Sequence, residues 1–319
     1  MKALWVRSLW LLLAAVVFFG AIGLVAIWAP DEPVDGLKSR WAKPPSRFIE
    51  VFGQQVHVRD EGPHDDPAPI VLLHGTSSSL HTWQGWAMAL REQRRVIRID
   101  LPGFGLTGPR RDFDYSSNAD MRFVNAVLQK LEVHRFVIAG NSLGGQIAWT
   151  IAARMPDRVV KLILVDAAGY PPNSMNTPQQ LPVGFRLVRM TWMRQLVNFT
   201  MPRGLIESSL HDLYGDPAKV TPELVDLYFD MTLRHGNREA LAHRIDQRVP
   251  ADLSLLNKIK APTLVIWGGK DRVQPVEVAE RFQRDIAGAK LVVFDKLGHM
   301  PQEEDPERTV AEVRRFLGF

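Results

Sequence analysis

Phe136-Val-Ile-Ala-Gly140-Asn-Ser142-Leu-Gly144-Gly145 carries the most informative punctuation in the chain. Four apolar residues read as a buried strand, a Gly-x-Ser-x-Gly pattern follows, and apolar positions 143, 147, 148, 151 and 152 then share one stripe of a helix. The pattern alone arises by chance about 0.07 times in a chain of this length at average composition, and its place between strand and helix is more telling than the match. A strand that turns into a helix within about two residues leaves its serine in strained backbone geometry. Flanking glycines remove the Cβ atoms that would clash. Ser142 Oγ is then expected at the carboxyl end of a sheet, beside a helix N-terminus whose free N–H groups favour developing negative charge.

Outward from this stretch the pattern repeats. The segments 70–73, 96–99, 160–165, 263–267 and 291–294 are short apolar runs of the kind that form parallel strands covered on both faces, and helical patterns fall between them. A hairpin precedes them, with alternation on both sides of Gly53. Asp305 as N-cap and Pro306 at the first helical position open a last helix whose buried face is Val310, Val313, Phe316 and Leu317. Strand–helix alternation predicts an α/β fold with a doubly wound, mostly parallel sheet. Residues 170–250 break it with helical patterns rich in Met, Phe and Trp and read as a helical cap inserted into a core of residues 47–169 and 251–319. The cap segment Phe185 to Met201 is dense in large apolar groups, the core of the cap, an acyl pocket or a surface that meets lipid.

A serine hydroxyl is a weak nucleophile and needs a base. His299 follows the last predicted strand in a polar loop before the final helix, where an imidazole reaches the sheet edge. The imidazole needs a carboxylate to fix its tautomer. Asp271 follows strand 263–267 through Gly268-Gly269-Lys270; Asp166, at the end of the preceding strand, competes for the same role. The order Ser142, Asp271, His299 is the one described for nucleophile elbows of this type. The loop after strand 70–73, His74-Gly75-Thr76, offers a backbone N–H, that of Thr76 or alternatively Ser77, to join that of Leu143 as an oxyanion hole. His74 itself is expected to orient that loop.

The 319 residues suffice for one large α/β domain with an insertion. No cysteine is present, which excludes disulfides, thiolate catalysis and cysteine metal sites. The net charge of +4 is scattered without an aromatic-interleaved basic stripe, which argues against nucleic acid as a partner. From Ser8 to Pro30 no residue is charged, and the run is rich in Leu, Ala, Val and Phe. As a helix it would reach roughly 35 Å against about 30 Å of bilayer hydrocarbon. It is too long for a secretory signal's apolar region, and Trp5, Trp10 and Trp28 sit near its ends. Residues 1–30 are therefore expected to form a single-pass transmembrane anchor, with a cleaved signal or a buried helix as alternatives. Residues 31–46 read as a tether, and the catalytic domain is expected outside the cytoplasm.

His74-Gly75, Asp100-Leu-Pro-Gly-Phe-Gly105, Gly140-Asn-Ser-Leu-Gly-Gly145, Trp267-Gly-Gly-Lys-Asp271 and Gly298-His299-Met-Pro301 are similar in order and spacing to the α/β-hydrolase superfamily. Residues 48 to 319 carry the resemblance, which is to bacterial esterases and lipases and to meta-cleavage hydrolases with a helical cap. It implies an α/β-hydrolase fold, no cofactor and no metal, and a small-molecule ester or acyl substrate. Ser142 stands where epoxide hydrolases and haloalkane dehalogenases carry Asp, which implies an acyl-serine intermediate. The leading expectation is a carboxylesterase or lipase-like enzyme. The alternative is a C–C bond hydrolase acting on a vinylogous diketone acid, whose carboxylate Arg189 or Arg194 of the cap would meet. A binding module that has lost catalysis is a third reading, against which all three triad members are present.

Overall fold

A computed structural model describes residues 10–14, 18, 20, 23, 27–171, 180 and 199–319. Eight strands form one sheet in the order β1-β2-β4-β3-β5-β6-β7-β8. The hairpin strands β1 (Ser46–Val51) and β2 (Gln54–Glu61) pair antiparallel, as does β2 with β4 (Val96–Ile99). The remaining pairings, among β3 (Ile70–Leu73), β4, β5 (Phe136–Asn141), β6 (Val159–Val165), β7 (Thr263–Gly268) and β8 (Lys290–Phe294), are parallel. The expected doubly wound, mostly parallel sheet is therefore present. β3, β4, β5 and β7 are buried at every position, as strands covered on both faces are; β4 buries the charged Arg98, which is paired with Glu61. β8 lies at the edge and is only partly covered.

Core clusters lie on both faces of this sheet. They include residues of α2 (Gln84–Leu90), α3 (Ser117–Lys130), α4 (Leu143–Arg154), α8 (Val276–Asp285) and α10 (Pro306–Leu317). Asp305 caps α10 by accepting from the Arg308 N–H at 3.2 Å, with Pro306 opening the helix. Between β6 and β7 the described residues form α5 (Arg203–Leu213), α6 (Pro222–Leu233) and α7 (Asn237–Asp246). The apolar segment Phe185–Met201 lies outside the described residues apart from 199–201, and Arg189 and Arg194 lie outside them too.

Among the described residues no helix is long and apolar enough to cross a membrane. The expected anchor falls largely outside them; within it, residues 10–14, 18, 20 and 23 are helical, and Trp10, Leu11, Leu12, Leu13 and Phe18 are exposed. Residues 31–46, read as a tether, carry α1 (Val34–Trp41), which packs on α6 through Leu37 against Leu227 and Met231. Leu37 is the one buried residue of α1, with Val34 and Trp41 packed beside it at helical spacing. Its docking is also polar: Arg40 and the Trp41 indole both donate to Asp230, each at 2.7 Å. Just upstream, the Ala29 N–H donates to Phe199 O and the Met201 N–H to Ile27 O, which joins the start of the chain to the cap.

Candidate active site

Ser142 sits between β5 and α4 at φ 52°, ψ −115°, a left-handed backbone conformation costly for a residue with a side chain. What holds it there is packing. A Cβ at Gly144 would stand 2.2 Å from Leu73 O, and one at Gly140 would stand 2.1 Å from Gly144 O. The two glycines thus let α4 start directly over the ends of β3 and β5. Backbone bonds finish the turn: the Ser142 N–H donates to Val165 O at 3.0 Å, and Ser142 O accepts from the Ala168 N–H at 2.9 Å.

His299 reaches the same place from the loop after β8. Its N–H donates to Leu213 O at 2.7 Å, and its carbonyl accepts from Asn141 Nδ2 at 3.0 Å. Glu304, in the short helix α9 (Pro301–Glu304), accepts from the N–H groups of Gly298, Gly215 and Asp216 at 2.8–3.0 Å. One buried carboxylate thus joins the histidine loop to the end of α5. Asp271 accepts at Oδ2 from the ring Nδ1 of His299 at 2.6 Å, and at Oδ1 from the Val273 and Gln274 N–H groups at 2.7 and 2.9 Å. An ionised carboxylate only accepts, so Nδ1 carries the ring proton and Nε2 is left with its lone pair. Nε2 has no hydrogen bond to Ser142 Oγ among the described residues; the two side chains line one cavity, and in such sites that contact commonly tightens on substrate binding.

Asp166 lies behind this pair. It is fully buried at the end of β6, at φ 44°, and its Oδ1 accepts from the Gly268 N–H at 3.0 Å while its carboxyl is also hydrogen-bonded to Asp271. Burial, and then the charge of Asp271, push its carboxyl well above the usual range, so it is the protonated member of the pair. Asp166, Asp271 and His299 bring ligand atoms within 4.8 Å of one another and form the one cluster with metal-ligand chemistry among the described residues. The 2.6 Å contact of His299 with Asp271 is hydrogen-bond length, too short to hold a cation between the two atoms.

The cavity has a volume of about 670 Å³. Gly75, Thr76, Ser77, Ser142, Leu143 and His299 line its floor, apolar residues of α5 and the segment Ile27, Met201, Pro202 line one wall, and Tyr115, Asp120, Arg244 and Gln247 line another. Arg244 is paired with Asp120 at 2.6 and 3.1 Å, and Arg248 also lines the cavity. Thr76 and Leu143, the expected oxyanion donors, thus both border the cavity, and Ser77 has φ 56°. His74 donates from Nδ1 to Gly75 O at 2.7 Å and accepts at Nε2 from the Leu101 N–H at 2.9 Å, fixing the loop from below. A second hydrogen-bonded Ser–His–Asp chain, Ser46–His57–Asp100 at 2.8 and 2.7 Å, does not line the cavity. Asp100 also accepts from the Leu80 and Leu106 N–H groups, so that chain anchors two loops. Sequence reasoning missed Glu304, Asn141, Tyr228 and Glu303 around the site. Asn141 lies within the Gly-x-Ser-x-Gly stretch and had a signal; the others are ordinary helix residues until the fold buries them.

A sequence profile for the alpha/beta hydrolase fold matches residues 68–306. The chain belongs to the α/β-hydrolase family. It is similar to YugF of Bacillus subtilis, an uncharacterised hydrolase, at 29% identity over 86% of this chain and 98% of that protein. It is also similar to the 2-hydroxy-6-oxo-2,4-heptadienoate hydrolase of Pseudomonas putida, at 28% over 85% of this chain and 95% of that one. Among solved structures, a membrane phospholipase A described as a bacterial virulence factor superposes with a TM-score of 0.74 at 25% identity, covering 99% of this chain and 98% of that one. This α/β-hydrolase is thus a hydrolase by fold and kinship, with meta-cleavage and lipase-like enzymes both among its relatives.

Proposed function

We propose that this α/β-hydrolase cleaves carboxylic esters through an acyl-serine intermediate, with Ser142, His299 and Asp271 as its triad. The observation that carries the reading is the buried 2.6 Å pair of His299 and Asp271, which leaves Nε2 free on the wall of the cavity that also holds Ser142. Nε2 takes the Ser142 proton as Oγ attacks the ester carbonyl; the oxyanion meets the N–H groups of Leu143 and Thr76; the leaving alcohol departs with the proton; water then enters by the same steps and releases the acid. The acyl chain of a lipid-like ester suits the apolar wall formed by α5, Ile27 and Met201. Cleavage of p-nitrophenyl esters and labelling by a fluorophosphonate are expected, both lost in Ser142→Ala. Undiminished turnover in that variant would end the proposal.

The kinship with 2-hydroxy-6-oxo-2,4-heptadienoate hydrolase supports a second reading, C–C bond cleavage of a vinylogous diketone acid. Turnover of such dienoates exceeding that of every ester tested would replace the first reading by the second. Within the expected anchor of residues 1–30, the stretch before Ile27, which is bonded to Met201, is proposed to hold the enzyme in a membrane, with the catalytic domain outside the cytoplasm. The uncharged run and the exposed side chains of Trp10 to Leu13 and Phe18 support this. Release of the full chain from membranes by carbonate, or a protease that reaches the domain only from the cytoplasmic side, would each count against it.

A further inference from the structure

One hydrogen-bonded chain on the cavity wall has no part in the proposed chemistry. Ser78, at the end of the loop that carries Thr76 and Ser77, meets Tyr228 of α6 at 3.0 Å between hydroxyl oxygens. Tyr228 donates to Glu303 Oε2 at 2.9 Å, and Tyr214, which follows α5, donates to the same oxygen at 3.0 Å. Glu303 stands in α9, four residues after His299. The chain therefore crosses three elements that must agree for an acyl transfer: the histidine segment, the cap and the oxyanion loop.

The proton directions follow from the chemistry of the groups. An ionised carboxylate only accepts, so both phenols point their protons at Glu303. The Tyr228 oxygen is then an acceptor toward Ser78, whose hydroxyl proton must turn to the tyrosine. The loop has few other restraints at this point. Its own turn is loose, with the Ser78 N–H 3.4 Å from Gly75 O, and Ser77 is held at a positive φ. Beyond Ser78 the chain is anchored by the Ser79 hydroxyl on His81 Nδ1 at 2.9 Å and by the Leu80 N–H on Asp100 at 2.7 Å.

We infer that Glu303 and Tyr228 are positioning residues: the ionised Glu303 fixes the Tyr228 and Ser78 hydroxyls in one direction and so holds the oxyanion loop against the cap. The inference rests on the acyl-serine reading. No cation contacts Glu303 among the described residues. The groups that face it are Tyr214, Tyr228 and Thr82; the neighbouring Glu304 turns to backbone N–H groups, and Lys219 reaches only the Glu304 carbonyl. Burial pushes the Glu303 carboxyl up to about 7, against the pull of the hydroxyls bonded to it. A proton on Glu303 weakens both phenol bonds and releases the fixed direction, so the loop is held above neutral pH and loosened below it.

The test is steady-state hydrolysis of a p-nitrophenyl ester by the full chain, from about pH 5.5 to about 9, in the parent and in Tyr228→Phe, Glu303→Gln and Ser142→Ala. Tyr228→Phe and Glu303→Gln should each lower kcat about tenfold, the worth of roughly one hydrogen bond, with KM within about threefold. The acid limb of the parent's kcat profile should reflect two ionisations, the histidine base and Glu303, and fall to one in both variants. Parent-like kcat and parent-like slope in Tyr228→Phe overturn the inference; that variant loses only a hydroxyl and decides the matter if Glu303→Gln fails to fold. If Ser142→Ala abolishes turnover while both variants match the parent, only this inference falls. If Ser142→Ala remains active, the acyl-serine reading falls and takes this inference with it.

Discussion

Replacing Asp271 by Asn tests which of two adjacent carboxyls serves His299. Asp271 Oδ1 accepts two backbone N–H groups, from Val273 at 2.7 Å and Gln274 at 2.9 Å, while Oδ2 accepts from His299 Nδ1 at 2.6 Å. An asparagine must keep its oxygen on the two N–H donors, because turning its NH2 toward them leaves three donors facing one another in a buried site. Its NH2 therefore faces Nδ1, which must become the acceptor, and the ring proton moves to Nε2. An Nε2–H cannot take the Ser142 proton. Loss of the right tautomer in a Ser–His–Asp triad lowers kcat by about 10⁴-fold, or about 5.4 kcal/mol. Asp166→Asn should behave differently. Burial and the charge of Asp271 hold the Asp166 carboxyl well above the usual range, its Oδ1 accepts from the Gly268 N–H, and an amide NH2 replaces the carboxyl O–H that faces Asp271. Its kcat should stay within about fivefold of the parent, since one neutral donor replaces another. Single-turnover acylation by a p-nitrophenyl ester, monitored by stopped-flow absorbance, separates this chemical step from product release. Equal losses in the two variants, or more than a tenth of parental kcat in Asp271→Asn, would refute the assignment of Asp271 as the histidine's partner.

Gly144→Ala sets a Cβ 2.2 Å from Leu73 O and 2.6 Å from His74 O, both backbone atoms that cannot rotate away. Urea unfolding should register a loss of about 1–3 kcal/mol or failure to fold, and a parental unfolding midpoint would contradict the close approach of α4 to β3. Asp100 is held below the usual carboxylate range by His57 against the opposing effect of burial. Its contribution to stability is therefore present above the unfolded value of about 3.9 and declines as pH falls below it. Asp100→Ala should lose about 3–5 kcal/mol at neutral pH, and the gap to the parent should narrow below about pH 4. Denaturant melts at both pH values check this, and a gap that widens in acid would reverse the sign of the argument.

The sheet was legible because its runs satisfy a local condition: strands covered on both faces are apolar at most positions, as β3, β5 and β7 are, and β4 departs from it only at Arg98, whose buried guanidinium is paired with Glu61. β8 reads the same way in sequence, yet it is the edge strand and only partly covered, since hydrophobicity records tolerance of burial rather than neighbours. The turn around Ser142 was legible for a stronger reason. Leu73 O and Gly144 O leave no room for side chains at positions 144 and 140, so the glycines are a steric requirement that a sequence can display. The triad's order follows the strand order, and loops after consecutive strands end at one rim.

Other parts of the site have no such local signature. Pro301-Gln-Glu-Glu-Asp305 reads as a solvated helix start, yet Glu304 is buried and Glu303 half-buried, because the end of α5 and helix α6 close over them with two tyrosines and two loop N–H groups. A carboxylate's tolerance of burial depends on donors supplied by residues about 70 to 90 positions away in sequence, and no window of composition or periodicity holds that information. The same logic hid α1. Its apolar side is short, Val34, Leu37 and Trp41, and the helix is also held by Asp230 of α6, a charge that in isolation predicts exposure. Such long-range polar docking joins the cap to the start of the chain on one side and to the histidine loop on the other. Under the proposed chemistry, a change in how the cap sits reaches His299 through Glu304 and the loop of Thr76 through Glu303 and Tyr228, so the cap would act on the reaction geometry as well as on access to the cavity.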